Sequence, residues 1–212
     1  MSARGAGRPR IDTHSVMTPE EWRELTGRDA PAASLASALE RAGVPQRFRG
    51  VRPDAGRARS LGEGRGLYLF GDVGTGKTTR ACAVLAGWAS LGRGGALYAS
   101  SVSLAAALMP SAPDRARSLE RAATARLLVL DDLGKEPPTP WAVAGLFEVV
   151  DARWARGDLH TVATSQLSPS ELALRLGERG DEATAKAVVS RLVGMCDLVR
   201  CEGRDNRIRR ER

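Results

Sequence analysis

Lys77 and Thr78 close a turn in which Gly71, Gly74 and Gly76 alternate with Asp72, Val73 and Thr75, and Thr79 follows. An apolar run, Leu67 to Phe70, leads into the turn, and a helical pattern leads out of it. That order of residue types is the phosphate-binding pattern. Glycines let successive backbone N–H groups face one point, the helix N-terminus adds its positive dipole, and the lysine ammonium reaches the outer phosphates. Residues Gly71 to Thr79 are therefore expected to bind a nucleoside triphosphate, with the Thr78 hydroxyl left to coordinate magnesium. The lysine is informative in itself. Of 32 basic residues only Lys77, Lys135 and Lys186 are lysines, and one stands where a compact ammonium is required.

A second set of chemistry-bearing residues lies about 50 positions further on. Leu127 to Leu130 is a continuous apolar run that ends in Asp131 and Asp132. Continuous rather than alternating hydrophobicity marks a strand buried on both faces of a parallel sheet. Its C-terminal end is the edge at which ligands of open α/β sheets bind. In this Walker B arrangement Asp131 would hold magnesium through water, and Asp132 would orient or deprotonate an attacking water. Cysteine and histidine offer no competing metal chemistry. Cys82, Cys196 and Cys201 form no C-x-x-C pair, and His14 and His160 are the sole histidines. Three reduced thiols are expected, with Cys82 a small hydrophobe on the helix after the glycine turn.

The elements needed to position these groups can be read along the chain. Residues 1–16 are rich in Gly, Arg, Pro and Ser and read as disordered. Thr18-Pro19-Glu20-Glu21 is a capping box that opens a two-turn helix, with Trp22 and Leu25 on one face and a stop at Gly27. Ala30 to Ser34 reads as a linker whose Ser34 caps a second helix bearing Leu35, Ala38, Leu39 and Ala42. Residues 44–66 read as irregular connection. After Thr78 a helix to about Leu91 turns Ala81, Leu85 and Trp88 inward, and Gly95 to Ser100 is a second strand. Helices follow over Ser103–Met109 and near 114–124, before the strand that ends in Asp131 and Asp132. A helix from Pro140 to Arg156 is expected to bury Trp141, Leu146, Phe147 and Val150. Thr161 to Ser165 forms a fourth strand ending at Gln166. Two more helices, from Pro169 and from Asp181, precede a last strand over Asp197–Cys201. Strands alternating with helices predict an α/β fold, a doubly wound parallel sheet of five strands.

Composition bounds the class. At 212 residues and 42% hydrophobic content, the chain supports one α/β domain with extensions. No stretch has the apolar length of a membrane span, and the charged N-terminus lacks the apolar core of a secretory signal; a cytoplasmic protein is expected. The net charge of +7 is unevenly placed. Residues 1–65 hold 12 arginines against 8 acids and residues 200–212 hold 6 against 3, while the 134 residues between hold 14 of each sign. A neutral core with basic ends suits contact with nucleic acid, single-stranded DNA included, through those ends, and suits equally a pair of solvated basic tails.

Several strings together resemble one family. They are Gly43-Val44-Pro45-Gln46-Arg47-Phe48, the glycine turn, the run LLVLDDLGKE from Leu127 to Glu136, and Thr164-Ser165-Gln166-Leu167. Ser190-Arg191-Leu192 and Gly203-Arg204-Asp205-Asn206-Arg207 complete the set. In order, over roughly residues 40–208, they resemble the DnaC/DnaI-type helicase loaders and their relative IstB, which are AAA+ ATPases. The resemblance implies a P-loop domain, expected over residues 31–203; residues 1–30 read as a basic extension and 204–212 as a basic tail too short for a C-terminal helical lid. The resemblance also implies ATP and Mg2+ as cofactors, a replicative helicase as partner, and assembly into a homo-oligomer on ATP binding. By matching position, Arg191 resembles the arginine finger that reaches a neighbour's γ-phosphate, and Arg207 a second, cis-acting sensor. Gln166 stands where the family usually has Asn, as the sensor at the end of the fourth strand. The same amide on one more methylene, together with the short Asp132, implies slow, switch-like hydrolysis. Three functions are compatible with these residues: a helicase loader, an IstB-like transposition helper, and a nucleotide-dependent adaptor that does not hydrolyse.

Overall fold

The computed structural model describes residues 32–63, 65–179 and 181–203. The expected Trp22 helix, the segment 1–16 and the tail carrying Arg207 lie outside the described residues.

Five short segments form one parallel sheet. They are β1 (Gly66–Phe70), β2 (Ala96–Ser100), β3 (Leu127–Leu133), β4 (His160–Ser165) and β5 (Cys196–Arg200), in the spatial order β2-β3-β4-β1-β5. Because side chains alternate across a strand, each inner strand feeds two cores. Leu67, Leu69, Leu127, Val129 and Val162 face one side, and Tyr68, Leu128, Leu130 and Ala163 the other. Helices α1 (Ala32–Arg41), α2 (Ala55–Glu63) and α3 (Lys77–Ser90) cover the first face. Helices α4 (Ser101–Ala107), α5 (Arg115–Thr124), α6 (Pro140–Arg156), α7 (Pro169–Gly177) and α8 (Glu182–Met195) cover the second. This is the doubly wound α/β sheet expected from the alternating pattern, and no helix follows β5 among the described residues. Burying leucines such as Leu85, Leu127 and Leu128, each 0% exposed, contributes about 1.5–3 kcal/mol apiece.

Local signals account for most boundaries. Ser168 and Glu171 form a reciprocal capping box at the start of α7, and Asp181 accepts a hydrogen bond from the Thr184 N–H at the start of α8. Pro140 occupies the first turn of α6, and Gly157 ends that helix in a left-handed conformation. Ala81, Leu85 and Trp88 are buried on α3, and Cys82 packs beside them at 0% exposure.

Several expectations are corrected. Residues 44–66 are structured: Gln46–Phe48 forms a 3-10 turn, and α2 follows it. Helix α2 is hidden in the sequence by its two glycines and its arginines. Its start is marked by Asp54, whose Oδ1 accepts from the Arg57 N–H at 2.9 Å. Its place is set by α3, where Gly87 makes room for it: a Cβ at Gly87 would lie 2.2 Å from the Asp54 carbonyl oxygen. Helix α1 begins at Ala32, so Ser34 lies inside it rather than capping it; two alanines extend the helix at no propensity cost. Helix α4 begins at Ser101, after Ser100 accepts from the Ser103 N–H at 3.1 Å. Leu146 and Val150 are buried on α6, but Trp141 and Phe147 are only half-buried. The Arg191 guanidinium lies 4.8 Å over the Phe147 ring, a cation–π contact on the side of α6 that faces α8.

Beneath α6, the Arg153 guanidinium is 1% exposed. It donates to the carbonyls of Ala122, Ala125 and His160 and to Thr161 Oγ1, joining α5, α6 and β4. Burial pulls its pKa down to about 10.

Candidate nucleotide site

The loop Gly71–Gly76 joins the end of β1 to the start of α3. Gly71, Gly74 and Gly76 have φ of 131°, 79° and 82°, values that L side chains rarely adopt. Gly71 is doubly constrained, since a Cβ there would lie 2.3 Å from the Cys201 carbonyl oxygen at the end of β5. The glycine pattern is thus a demand of the turn and of its packing on the neighbouring strand. Lys77 opens α3 and is 7% exposed. Its Nζ donates to the carbonyls of Gly71 at 2.7 Å and Asp72 at 2.6 Å, so the ammonium is folded back over the mouth of the loop. Burial is the main influence lowering its pKa.

The carboxylate of Asp131 sits below Thr78 at the end of β3 and is 3% exposed. Three hydroxyls converge on it. Thr78 Oγ1 and Thr164 Oγ1 donate to its Oδ1 at 2.9 and 2.6 Å, and Tyr98 Oη donates to its Oδ2 at 2.7 Å. Those donors come from α3, β4 and β2, so the sheet order itself assembles the group. Burial, with the hydrogen bond to Asp131 next, pushes the Tyr98 pKa up and keeps the phenol a donor.

Asp132 sits at a bulge within β3. The β3–β4 register breaks between Leu130 and Leu133, and Asp132 has φ of 60°, the one positive value among described non-glycine residues. Its N–H, freed from the ladder, donates to Thr164 Oγ1 at 2.9 Å. A bulge of this kind re-aims a side chain, and here it turns Asp132 toward the glycine loop. There its Oδ2 meets Lys135 Nζ at 2.7 Å. Ser165 secures the neighbouring edge by donating to the Leu133 carbonyl and accepting from the Leu167 N–H, which brings Gln166 to the same opening.

These groups line a cleft of about 690 Å³, within the range of small-molecule sites. Val73 to Thr79, Asp132 and Gln166 bound it, and so do Arg47, Phe48 and Lys135, which the sequence reading did not assign to the site. The Arg47 guanidinium lies 4.6 Å over the Phe48 ring at the rim. Tyr98 carried no motif signal, and Thr164 and Lys135 stand inside the strings Thr164–Leu167 and Leu127–Glu136 without a role of their own there. Gly71, Asp72 and Asp131 border the cleft from beneath through their bonds to Lys77 and Thr78. Arg191 is not brought to it. On α8 its Nε donates to Asp151 Oδ1 of α6 at 2.6 Å.

The donor set suits magnesium. A hydroxyl and a carboxylate in contact, Thr78 and Asp131, are the hard oxygen ligands that this ion takes alongside waters and substrate phosphates. No group of three His, Cys, Asp or Glu that would hold a metal alone occurs among the described residues. No described helix is long and apolar enough to cross a membrane.

Comparison with known proteins agrees with this geometry. The family of IstB-like ATP binding proteins matches residues 61–212. The replicative helicase loader DnaI of Bacillus subtilis (strain 168) is 28% identical over 156 residues, 69% of this chain and 49% of that protein. The chain therefore spans about half the length of this relative. Among solved structures, the DnaC helicase loader aligns with a TM-score of 0.60 at 24% identity, over 74% of this chain and 100% of that one. A structure of DnaI aligns at 0.62 and 22% identity, over 82% and 95%. Those two likenesses establish a shared fold, a parallel α/β sheet with the glycine loop at its strand ends. With the sequence match running from the end of α2 through every strand, the chain belongs to the family of IstB-like ATP binding proteins.

Proposed function

We propose that the protein binds and slowly hydrolyses ATP with magnesium, and uses the nucleotide state to load a replicative helicase onto DNA. The observation that carries the enzymatic part is the convergence at one cleft of Lys77, Thr78, Asp132 and Gln166, with Asp131 beneath them. Gly71 to Thr79 would cradle the phosphates, with Lys77 leaving the loop carbonyls for them. Thr78 and Asp131 would hold magnesium, which supplies charge neutralisation on the phosphates. Asp132 would take the proton of a water oriented with Gln166, as the water oxygen bonds to the γ-phosphorus and the bond to the β,γ-bridging oxygen breaks, leaving ADP and phosphate.

Arg191 would act on a neighbouring subunit's nucleotide. Its reach into its own cleft is forgone, and the Asp151 pair parks it on the α6–α8 surface. ATP-dependent homo-oligomers follow from that role. The loader role is supported by the likeness to DnaI, and a second reading, an IstB-like transposition helper, by the family match. Basic residues in 1–30 and 204–212 would supply contacts to single-stranded DNA.

Phosphate release from ATP with magnesium and single-stranded DNA tests the enzymatic reading. Lys77→Ala is expected to lower turnover on the order of a hundredfold. Turnover unchanged by Lys77→Ala would sink it, and tight ATP binding without turnover would favour the adaptor. In the same assay, DNA affinity should fall steeply with salt and with removal of residues 1–16 and 204–212. Added replicative helicase or transposase then separates the two partner readings by which one stimulates turnover.

A further inference from the structure

Lys135 is a cation at the cleft that the glycine-loop pattern does not account for. We propose that it reads the terminal phosphate: it holds Asp132 while that phosphate is absent and transfers to it when a triphosphate fills the cleft. The proposal rests on the ATP-site reading above.

Placement comes first. Lys135 lines the same cleft as Lys77, Thr78, Asp132 and Gln166, and its Nζ lies 2.7 Å from Asp132 Oδ2. While that contact lasts, the carboxylate oxygen is engaged by an ammonium instead of a water. The two side chains are 47% and 34% exposed, so the pair is worth at most about 1 kcal/mol and is readily exchanged. A phosphate group, with its concentrated charge and several acceptor oxygens, makes the stronger charge-assisted bonds.

The backbone beneath is held still. The Asp132 N–H is bound by Thr164, the Lys135 N–H donates to the Asp132 carbonyl at 3.2 Å, and the Gly134 N–H donates to Glu136 Oε2 at 2.9 Å. Glu136 itself is 3% exposed. Only the four-carbon lysine stem is left to swing. Composition points the same way. Two of three lysines in a chain of 32 basic residues line this cleft, while the third, Lys186, pairs with Glu182 on the exposed side of α8. A compact ammonium on a flexible stem can change partners, where an arginine fork would favour the bidentate carboxylate pair.

The test compares two nucleotides by isothermal titration calorimetry on the full chain with magnesium: the β,γ-imido analogue of ATP, and ADP. Lys135→Met is expected to weaken the analogue about tenfold, the loss of one charge-assisted bond, and ADP by less than about twofold. The melting temperature of this variant checks that it is folded. Equal weakening of both ligands, or of neither, overturns the proposal while leaving the ATP site standing. A wild-type chain that binds neither nucleotide, or Lys77→Ala that binds both as well as wild type, brings down the ATP-site reading and this proposal with it.

Discussion

Asp131 is held by three hydroxyls, and each can be removed with little change of shape. Thr164 does double duty, donating to Asp131 and accepting from the Asp132 N–H. Thr164→Val leaves both without that partner, so unfolding free energy from urea titration should fall by about 1–3 kcal/mol. Tyr98→Phe removes one donor and keeps the ring. Its expected signature is a higher magnesium requirement for turnover with unchanged nucleotide affinity in chelator; an unaltered magnesium profile would refute a positioning role. Asp132 has a separate constraint. At φ of 60°, short side chains that hydrogen-bond locally are tolerated, and Asp is one of few non-glycine residues found there. The short carboxylate that the sequence reading linked to slow chemistry is the one this backbone favours.

Packing between elements turns on Gly87, where α3 receives the start of α2. Gly87→Ala would improve helix propensity yet force a Cβ to 2.2 Å from the Asp54 carbonyl oxygen. Overpacking should win, lowering unfolding free energy by about 1–3 kcal/mol, seen as a lower melting temperature in calorimetry. A rise instead would mean that α2 shifts freely. The same helix shows why part of the fold escaped the sequence. The five strands were legible because apolar runs bounded by turn residues carry their own signal, and the glycine loop because its φ values admit little else. Helix α2 was not, since its glycines and arginines argue against a helix and only contact with α3 settles it. Within the site, Asp131, Asp132 and Gln166 were legible as strand ends. The bonds of Tyr98 and Thr164 to Asp131 were not, because which strands are neighbours, and so which hydroxyls meet that carboxylate, is decided by the order β2-β3-β4-β1-β5.

Across the whole molecule, Cys82, Cys196 and Cys201 are free and buried, and burial pushes the thiols of Cys82 and Cys196 up to about 12. A thiol reagent at neutral pH should therefore label the native protein slowly and all three cysteines quickly in denaturant; fast native labelling would contradict the packing of Cys82 and Cys196 on either side of the sheet. The sheet that shields those thiols also brings Thr78 to Asp131 across 53 residues of sequence, with Tyr98 and Thr164 from two further strands. The group is spread from Thr78 to Thr164 over three strands and a helix, so it forms only when the long-range pairings, the slow step for parallel sheets, are made. A ligand that needs the complete group selects finished molecules. At a hundredfold excess over its dissociation constant it deepens the native well by about 2.7 kcal/mol. The nucleotide is in that sense a fastener of the tertiary structure, and a newly made chain acquires affinity for it only once its folding is over.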